Sequence, residues 1–85
     1  MSSPSNDIAD SVHRTLEQYF RDLDGAKPAA IYDMVIRNVE RPMLQFVLQQ
    51  AKGNQTAAAD MLGINRNTLR KKIQDLGVEM ARGRR

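Results

Sequence analysis

Four cationic side chains follow the tripeptide Gly-Ile-Asn near the carboxyl end of the chain. They lie within seven positions, at Arg66, Arg70, Lys71 and Lys72. Guanidinium and ammonium groups can neutralise phosphates, and an arginine can also donate two hydrogen bonds to a guanine. This spacing indicates a surface that binds a polyanion such as nucleic acid.

The distribution of charge along the chain supports the same interpretation. The chain has 85 residues and a net charge of +3. Residues 1–51 hold five Lys/Arg against seven Asp/Glu, whereas residues 52–85 hold eight against three. A one-sided positive field of this kind suits nucleic acid or an acidic membrane surface.

The composition argues against several classes of protein. The sequence has no cysteine, and its one histidine is too few for a metal site of the usual ligand number, so we expect neither metal nor cofactor. No nucleophile or carboxylate pair marks a partner for His13, so we expect no enzyme. No run of about 18 apolar residues occurs, and MSSPSND lacks the features of a secretion signal, so we expect a cytoplasmic protein.

Glycine and proline divide the chain into helical segments, which predicts an all-α fold with four helices. Asp7 can cap a first helix that ends at Asp24-Gly25, and residues 1–6 would form a flexible leader. Pro28 suits the first turn of a long second helix that runs to about Lys52.

A wide apolar stripe marks this second helix. Pro42 lies inside it and should bend the axis near Asn38, because the apolar periodicity continues beyond the proline; the alternative is a helix boundary there. The stripe covers roughly 160° of the helix surface, more than packing against one neighbour usually requires, so a second chain could cover the excess. Its members are Ile31, Tyr32, Val35, Ile36, Val39, Met43, Phe46 and Val47.

Two short helices are predicted on either side of the turn Gly63-Ile64-Asn65. The third covers residues 55–62 with Asn54 as its cap, and the fourth covers residues 66–76 with Asn65 as its cap. Two short helices joined by a glycine-containing turn are typical of helix-turn-helix geometry. The residues expected to pack between them are Ala58, Ala59, Leu62, Ile64, Leu69 and Ile73.

In such a unit the second helix enters the major groove with its amino end first. Asn65, Arg66 and Asn67 would then lie nearest the base edges. The remaining polar residues would contact phosphates, and the amino end of the third helix would contribute its backbone amides. The phosphate contacts predicted in this way are Thr56, Thr68, Arg70, Lys71 and Lys72.

The segment GNQTAAADMLGINRNTLRKK, residues 53–72, closely resembles the carboxyl-terminal region of Fis, the bacterial factor for inversion stimulation and nucleoid organisation. DSVHRTLEQYF and VERPMLQFVLQ resemble the first helix and the kinked second helix of that family. The resemblance covers about residues 8–79. It is strongest in the last third, where the motif is shared with the carboxyl-terminal domains of NtrC-type activators.

The resemblance implies a DNA-bending homodimer with low sequence specificity that belongs to the nucleoid and regulates transcription. Residues 7–52 would form the intertwined dimerisation helices, residues 53–79 the helix-turn-helix unit and residues 80–85 a basic tail. The two recognition helices would lie closer together than one DNA turn. By similarity Arg66 is the main guanine contact with Asn65 beside the bases, and the positions that contact or support the DNA backbone are Asn54, Thr56, Thr68, Arg70, Lys71 and Lys72.

The resemblance also implies a surface that touches RNA polymerase, formed by Gln49, Lys52, Gly53 and Gln55.

The sequence departs from the enteric family members at three positions: Ala57 replaces an arginine, and Gln74 and Asp75 replace basic residues. The family's β-hairpin arm, which contacts DNA invertases, precedes the first helix. Only about seven residues stand there in this chain, so we expect no stimulation of recombinases.

Two other functions fit the sequence less well. The chain could be the DNA-binding domain of an NtrC-like activator, although it begins with Met1 and its helical pattern starts almost at once. It could also be a helical dimer that binds only proteins, with the basic helix facing solvent.

Overall fold

The structure is a computed structural model that describes residues 4–78. Every regular element in that range is an α-helix, which confirms the predicted all-α fold. The helices are α1 Pro4–Leu23, α2 Ile31–Gln50, α3 Gln55–Leu62 and α4 Arg66–Leu76. None of these helices is long and apolar enough to cross a membrane. The predicted basic tail, residues 80–85, lies outside the described residues.

The chain divides into two compact units, Met1–Val35 and Ile36–Arg85, and the boundary falls inside α2. In the first unit the Tyr19 hydroxyl donates to the carbonyl of Ala29 at 3.3 Å and accepts from the N–H of Ala29 at 3.4 Å. The segment after α1 is thereby tied back to the helix that precedes it.

The starts of the first two helices differ from the prediction. Helix α1 begins at Pro4, where a proline suits the first turn, so Asp7 lies in that turn and does not cap it. Residues 4–6 of the predicted leader are therefore helical. Helix α2 begins at Ile31 and not at Pro28. The backbone of Ala29 is hydrogen-bonded to the Tyr19 hydroxyl, and Ala30 has a φ of +55°, which is not a helical value.

Helix α2 is continuous through Pro42, so the alternative of a helix boundary there is excluded. The helix ends at Gln50, two residues before the predicted end. The turn that follows closes it as expected, since the N–H of Gly53 donates to the carbonyl of Leu48 at 2.9 Å.

The second unit has one hydrophobic core, and it joins the last three helices. Leu44 and Leu48 of α2 are 1% and 0% exposed and belong to the same buried cluster as Leu69 of α4. The other buried members are Ala58, Ala59, Ile73, Leu76 and Val78, with Val47, Ala51, Leu62 and Ile64 packed against them. The sequence analysis correctly identified the contributions of α3 and α4. It missed Leu44 and Leu48, which lie on a different side of α2 from the predicted stripe.

Replacing Leu48 with alanine should lower the free energy of unfolding by about 2–5 kcal/mol, because the side chain is fully buried and its removal leaves a cavity. Urea unfolding followed by circular dichroism measures this loss. Met61→Ala is the control, since Met61 is 59% exposed and its loss should change the free energy by less than about 0.5 kcal/mol. Equal losses in the two variants would contradict the assigned core.

Candidate nucleic-acid interface

The amino ends of α3 and α4 are both capped by an asparagine, as predicted. The Asn54 side chain accepts a hydrogen bond from the N–H of Ala57 at 3.1 Å. The Asn65 side chain accepts one from the N–H of Asn67 at 2.7 Å. These bonds satisfy backbone donors that a helix start leaves without intrahelical partners.

Glycine ends both helices and fixes the turn between them. Gly63 has a φ of +76°, a left-handed conformation that side chains other than glycine adopt only with strain. Its N–H donates to the carbonyl of Ala59 at 2.8 Å, and the N–H of Ile64 donates to the same carbonyl at 3.1 Å. The same pattern closes α4, where the N–H of Val78 donates to the carbonyl of Ile73 at 3.1 Å. The helices therefore have the predicted bounds, 55–62 and 66–76.

Helix α4 has one buried side and one exposed side. Leu69, Ile73 and Leu76 are buried in the core of the second unit. Because they recur at three- and four-residue spacing, they hold the helix along its whole length in one rotational setting. Its exposed polar residues are Arg66, Asn67, Thr68, Arg70, Lys71, Gln74 and Asp75, and Lys72 is partly exposed.

Four of the exposed residues of α4 lie together on its outward side. Asn67, Arg70, Lys71 and Gln74 line a shallow open concavity along the helix. Arg66 stands at the first turn, beside the cap Asn65. This face combines cations with amide groups, so it can both neutralise phosphates and donate to base edges.

Two predicted contacts lie at the start of α3 rather than on α4. Asn54 is exposed and supports the helix through its cap bond, which is one of the two roles predicted for it. Thr56 is exposed in the first turn of the same helix. A hydroxyl beside the amino end of a helix can donate to a phosphate.

Lys72 differs from the neighbouring cations Arg70 and Lys71 because, among the described residues, its side chain is paired with a carboxylate. Its ammonium nitrogen lies 2.8 Å from a carboxylate oxygen of Glu40 on α2. The two side chains are 36% and 21% exposed, and a pair at this degree of exposure is worth at most about 1 kcal/mol. Lys72 and Lys71 were both predicted to contact phosphates, and Lys72 is the one that is paired with a carboxylate of the same chain.

Two arginines of α2 contact the carboxyl end of α4. Arg37 donates to the carbonyl of Asp75 at 2.9 Å, and Arg41 donates to the carbonyl of Leu76 at 3.1 Å. The last carbonyls of a helix lack intrahelical donors and carry partial negative charge, so both contacts stabilise this end of α4. Sequence reasoning missed both arginines.

A spacing signal marks the face of α2 that makes these contacts, but it does not identify their partners. Arg37, Glu40, Arg41, Leu44 and Leu48 lie within about 60° of Leu44 around the α2 axis at 100° per residue. They form one face that is charged at one end and apolar at the other. Their partners on α4 are 32 to 38 residues away in sequence, so no local pattern identifies them.

The four residues predicted to touch RNA polymerase lie together around the turn between α2 and α3. Gln49 and Lys52 are exposed, whereas Gly53 and Gln55 are half-buried. The N–H of Lys52 donates to the carbonyl of Gln49 at 3.0 Å, and Lys52 has a φ of +54°.

The part of the chain that the structure describes contains no cluster of three or more metal-ligating side chains.

Comparison with known proteins agrees with this geometry. The family profile "Bacterial regulatory protein, Fis family" matches residues 35–76, which include most of α2 and all of α3 and α4. A Fis-like DNA-binding protein of Ralstonia nicotianae is 52% identical over 73 residues, 86% of this chain and 95% of the relative. The chain belongs to the Fis family.

Two further relatives of this Fis-family chain have similar coverage. A Fis-like DNA-binding protein of Neisseria meningitidis is 51% identical over 72 residues, 85% of this chain and 91% of the relative. The DNA-binding protein Fis of Glaesserella parasuis is 46% identical over 71 residues, 84% of this chain and 72% of the relative. The resemblance inferred from the sequence is confirmed.

Replacing Asn65 with alanine in the Fis-family chain should lower the free energy of unfolding by about 1 kcal/mol, because the N–H of Asn67 loses its acceptor. Thermal unfolding measures the change. Asn65→Ser is the matched control, since serine is also a strong cap and should recover most of the loss. If the two variants were equally unstable, the cap bond would not be what stabilises the start of α4.

Proposed function

We propose that this chain is a DNA-binding transcriptional regulator that acts as a homodimer and bends the duplex to which it binds. The observation that carries the proposal is the two-sided character of α4. Leu69, Ile73 and Leu76 fix its inner side, and the polar residues on its outer side are exposed in the second helix of a helix-turn-helix. Membership of the Fis family and the names of the DNA-binding relatives support the part of the proposal that concerns DNA binding and regulation.

Within this proposal the residues of the interface have different roles. Arg66, at the amino end of α4, pairs with a guanine, and Asn65 and Asn67 lie beside neighbouring bases. The remaining polar residues contact phosphates and fix the register without reading the sequence. Those contacts are Asn54, Thr56, Thr68, Arg70 and Lys71; Lys72 was predicted as a further one, and its ion pair with Glu40 gives it a separate role. Because few residues reach base edges, sequence specificity is low and depends partly on how readily the DNA deforms.

The apolar surface of α2 supports the homodimer. Val39, Met43 and Phe46 are exposed, and they lie roughly 100–160° around the axis from Leu44. Tyr32 is 79% exposed. Large apolar side chains exposed on one side of a helix are typical of an interaction surface, and a second copy of α2 would cover these. Of the wide stripe predicted from the sequence, Val47 packs against the chain's own core, whereas Val39, Met43 and Phe46 remain available to a partner.

The remaining proposals concern what the dimer does. Recognition helices less than one DNA turn apart require a bent duplex, and a bending protein of low specificity fits a place in the nucleoid. The turn that carries Gln49, Lys52, Gly53 and Gln55 is proposed to contact RNA polymerase. Exposure of Gln49 and Lys52 and the resemblance to the family's contact surface support it.

Arg66→Ala should reduce discrimination at one base pair by about 1–3 kcal/mol, because the paired hydrogen bonds to guanine are lost. Lys71→Ala should weaken binding to all DNA sequences alike. It should also make the fall of log K with log salt less steep, by about 0.9 for each phosphate contact removed. Titration of matched specific and non-specific duplexes at several salt concentrations separates the two effects. Indistinguishable behaviour would contradict the assigned roles. No binding to any duplex would reject DNA binding in favour of a protein-only partner.

Phe46→Asp should convert the dimer to a monomer at micromolar concentration, since it places a charge on the apolar surface of α2. Sedimentation equilibrium of the wild-type chain and the variant measures this. Met61→Asp is the control, because Met61 on α3 is 59% exposed, close to the 61% of Phe46. A wild-type chain that is monomeric and folded would refute the dimer.

A further inference from the structure

The cations at the end of α4 do not all point the same way. Consecutive residues of a helix differ by about 100° around its axis, so Lys72 is turned well away from Lys71. Lys71 lines the open concavity of the outward face with Asn67, Arg70 and Gln74. Lys72 instead lies on the flank next to Leu76, one turn further on, whose side chain is buried.

The carboxylate that Lys72 meets lies among other contacts between α2 and α4. Glu40 lies between Arg37 and Arg41 on the same face of α2, and each arginine donates to a carbonyl at the end of α4. Three consecutive polar contacts therefore join this stretch of α2 to the last turns of α4, through Lys72, Asp75 and Leu76. Leu44, one turn beyond Glu40 and Arg41 on α2, is buried. The pair therefore belongs to a constrained helix interface and is not an isolated surface contact.

We propose that Glu40 is a positioning residue that keeps Lys72 out of the set of phosphate contacts. The Lys72 ammonium is 2.8 Å from the Glu40 carboxylate and stays on that partner when DNA binds. Each protomer then neutralises one phosphate fewer than its sequence of cations suggests. Since phosphate contacts set the sequence-independent affinity and its salt dependence, Glu40 lowers both. The inference rests on the proposed DNA binding.

The functional consequence is a limit on how tightly the protein holds DNA of any sequence. The resemblance alone implies that Lys72, like Lys71, either contacts the DNA backbone or supports the residues that do. The ion pair removes this contribution without removing the residue. A protein of low specificity has many competing sites, so a smaller electrostatic contribution allows it to leave non-specific DNA at lower salt.

Salt titrations of a non-specific duplex test the proposal with four variants. Lys71→Ala is the reference and should reduce the slope of log K against log salt by about 0.9 for each protomer bound. Lys72→Ala should leave the slope unchanged. Glu40→Gln should make the slope of log K against log salt steeper by about 0.9 for each Lys72 released. For one Lys72, the loss of affinity between 50 and 200 mM salt would then be about 3.5-fold larger than in the wild-type chain. The double variant Glu40→Gln with Lys72→Ala should lose this gain.

Three results would overturn the inference. Lys72→Ala could reduce the slope as much as Lys71→Ala, which would place Lys72 on a phosphate already. Glu40→Gln could leave the slope unchanged, or its gain could persist in the double variant, and Glu40 would then not act through Lys72. A purely structural role for Glu40 would change the melting temperature and not the slope. If Glu40→Gln failed to fold, Lys72→Ala compared with Lys71→Ala would decide alone.

The same experiment distinguishes this inference from the proposed function. A wild-type chain that bound no duplex would reject DNA binding itself and the inference with it. The other outcome is a wild-type chain that binds with a steep salt dependence while Lys71→Ala and Lys72→Ala reduce the salt dependence equally. That result would support DNA binding and reject only the role of Glu40.

Discussion

Leu44 and Leu48 of α2 share a buried cluster with Leu69 of α4, and this contact determines which side of α4 faces outward. A short helix of 11 residues has little stability by itself, so its orientation depends on the surface beneath it. With Leu69, Ile73 and Leu76 directed inward, the helical period leaves Asn67, Arg70 and Lys71 on the outside. The chemistry of the candidate interface follows from an apolar contact that does not include any of its residues.

Helix α2 uses two different faces. One face binds the helix-turn-helix of its own chain through Arg37, Glu40, Arg41 and the two leucines. Another face carries the exposed Val39, Met43 and Phe46 that we propose for the dimer. A helix that serves both a partner chain and a recognition helix can set the distance between two recognition helices without any flexible linker between them. That distance decides whether a straight or a bent duplex fits.

The parts of the fold that the sequence predicted correctly depend on local signals. Asparagine caps and glycine ends act within a few residues, so the bounds of α3 and α4 followed from the letters between Asn54 and Gly77. The start of α2 could not be predicted in that way, because Ala29 is bonded to Tyr19, ten residues earlier. Apolar periodicity located the wide stripe on α2 but could not show that Leu44 and Leu48, outside it, form the core. The pairing of Lys72 with Glu40 was equally inaccessible, since it needs the relative placement of two helices.

The distance between the two recognition helices of the proposed dimer is the most direct test of this account. The chain has no cysteine, so Gln74→Cys provides a single site for a spin label on the outward face of each α4. Pulsed electron paramagnetic resonance should give one narrow distance distribution, centred below the roughly 34 Å of one DNA turn. A broad distribution, a distance well above one turn, or no interaction between labels would contradict the claim that α2 holds two recognition helices at a fixed, short separation.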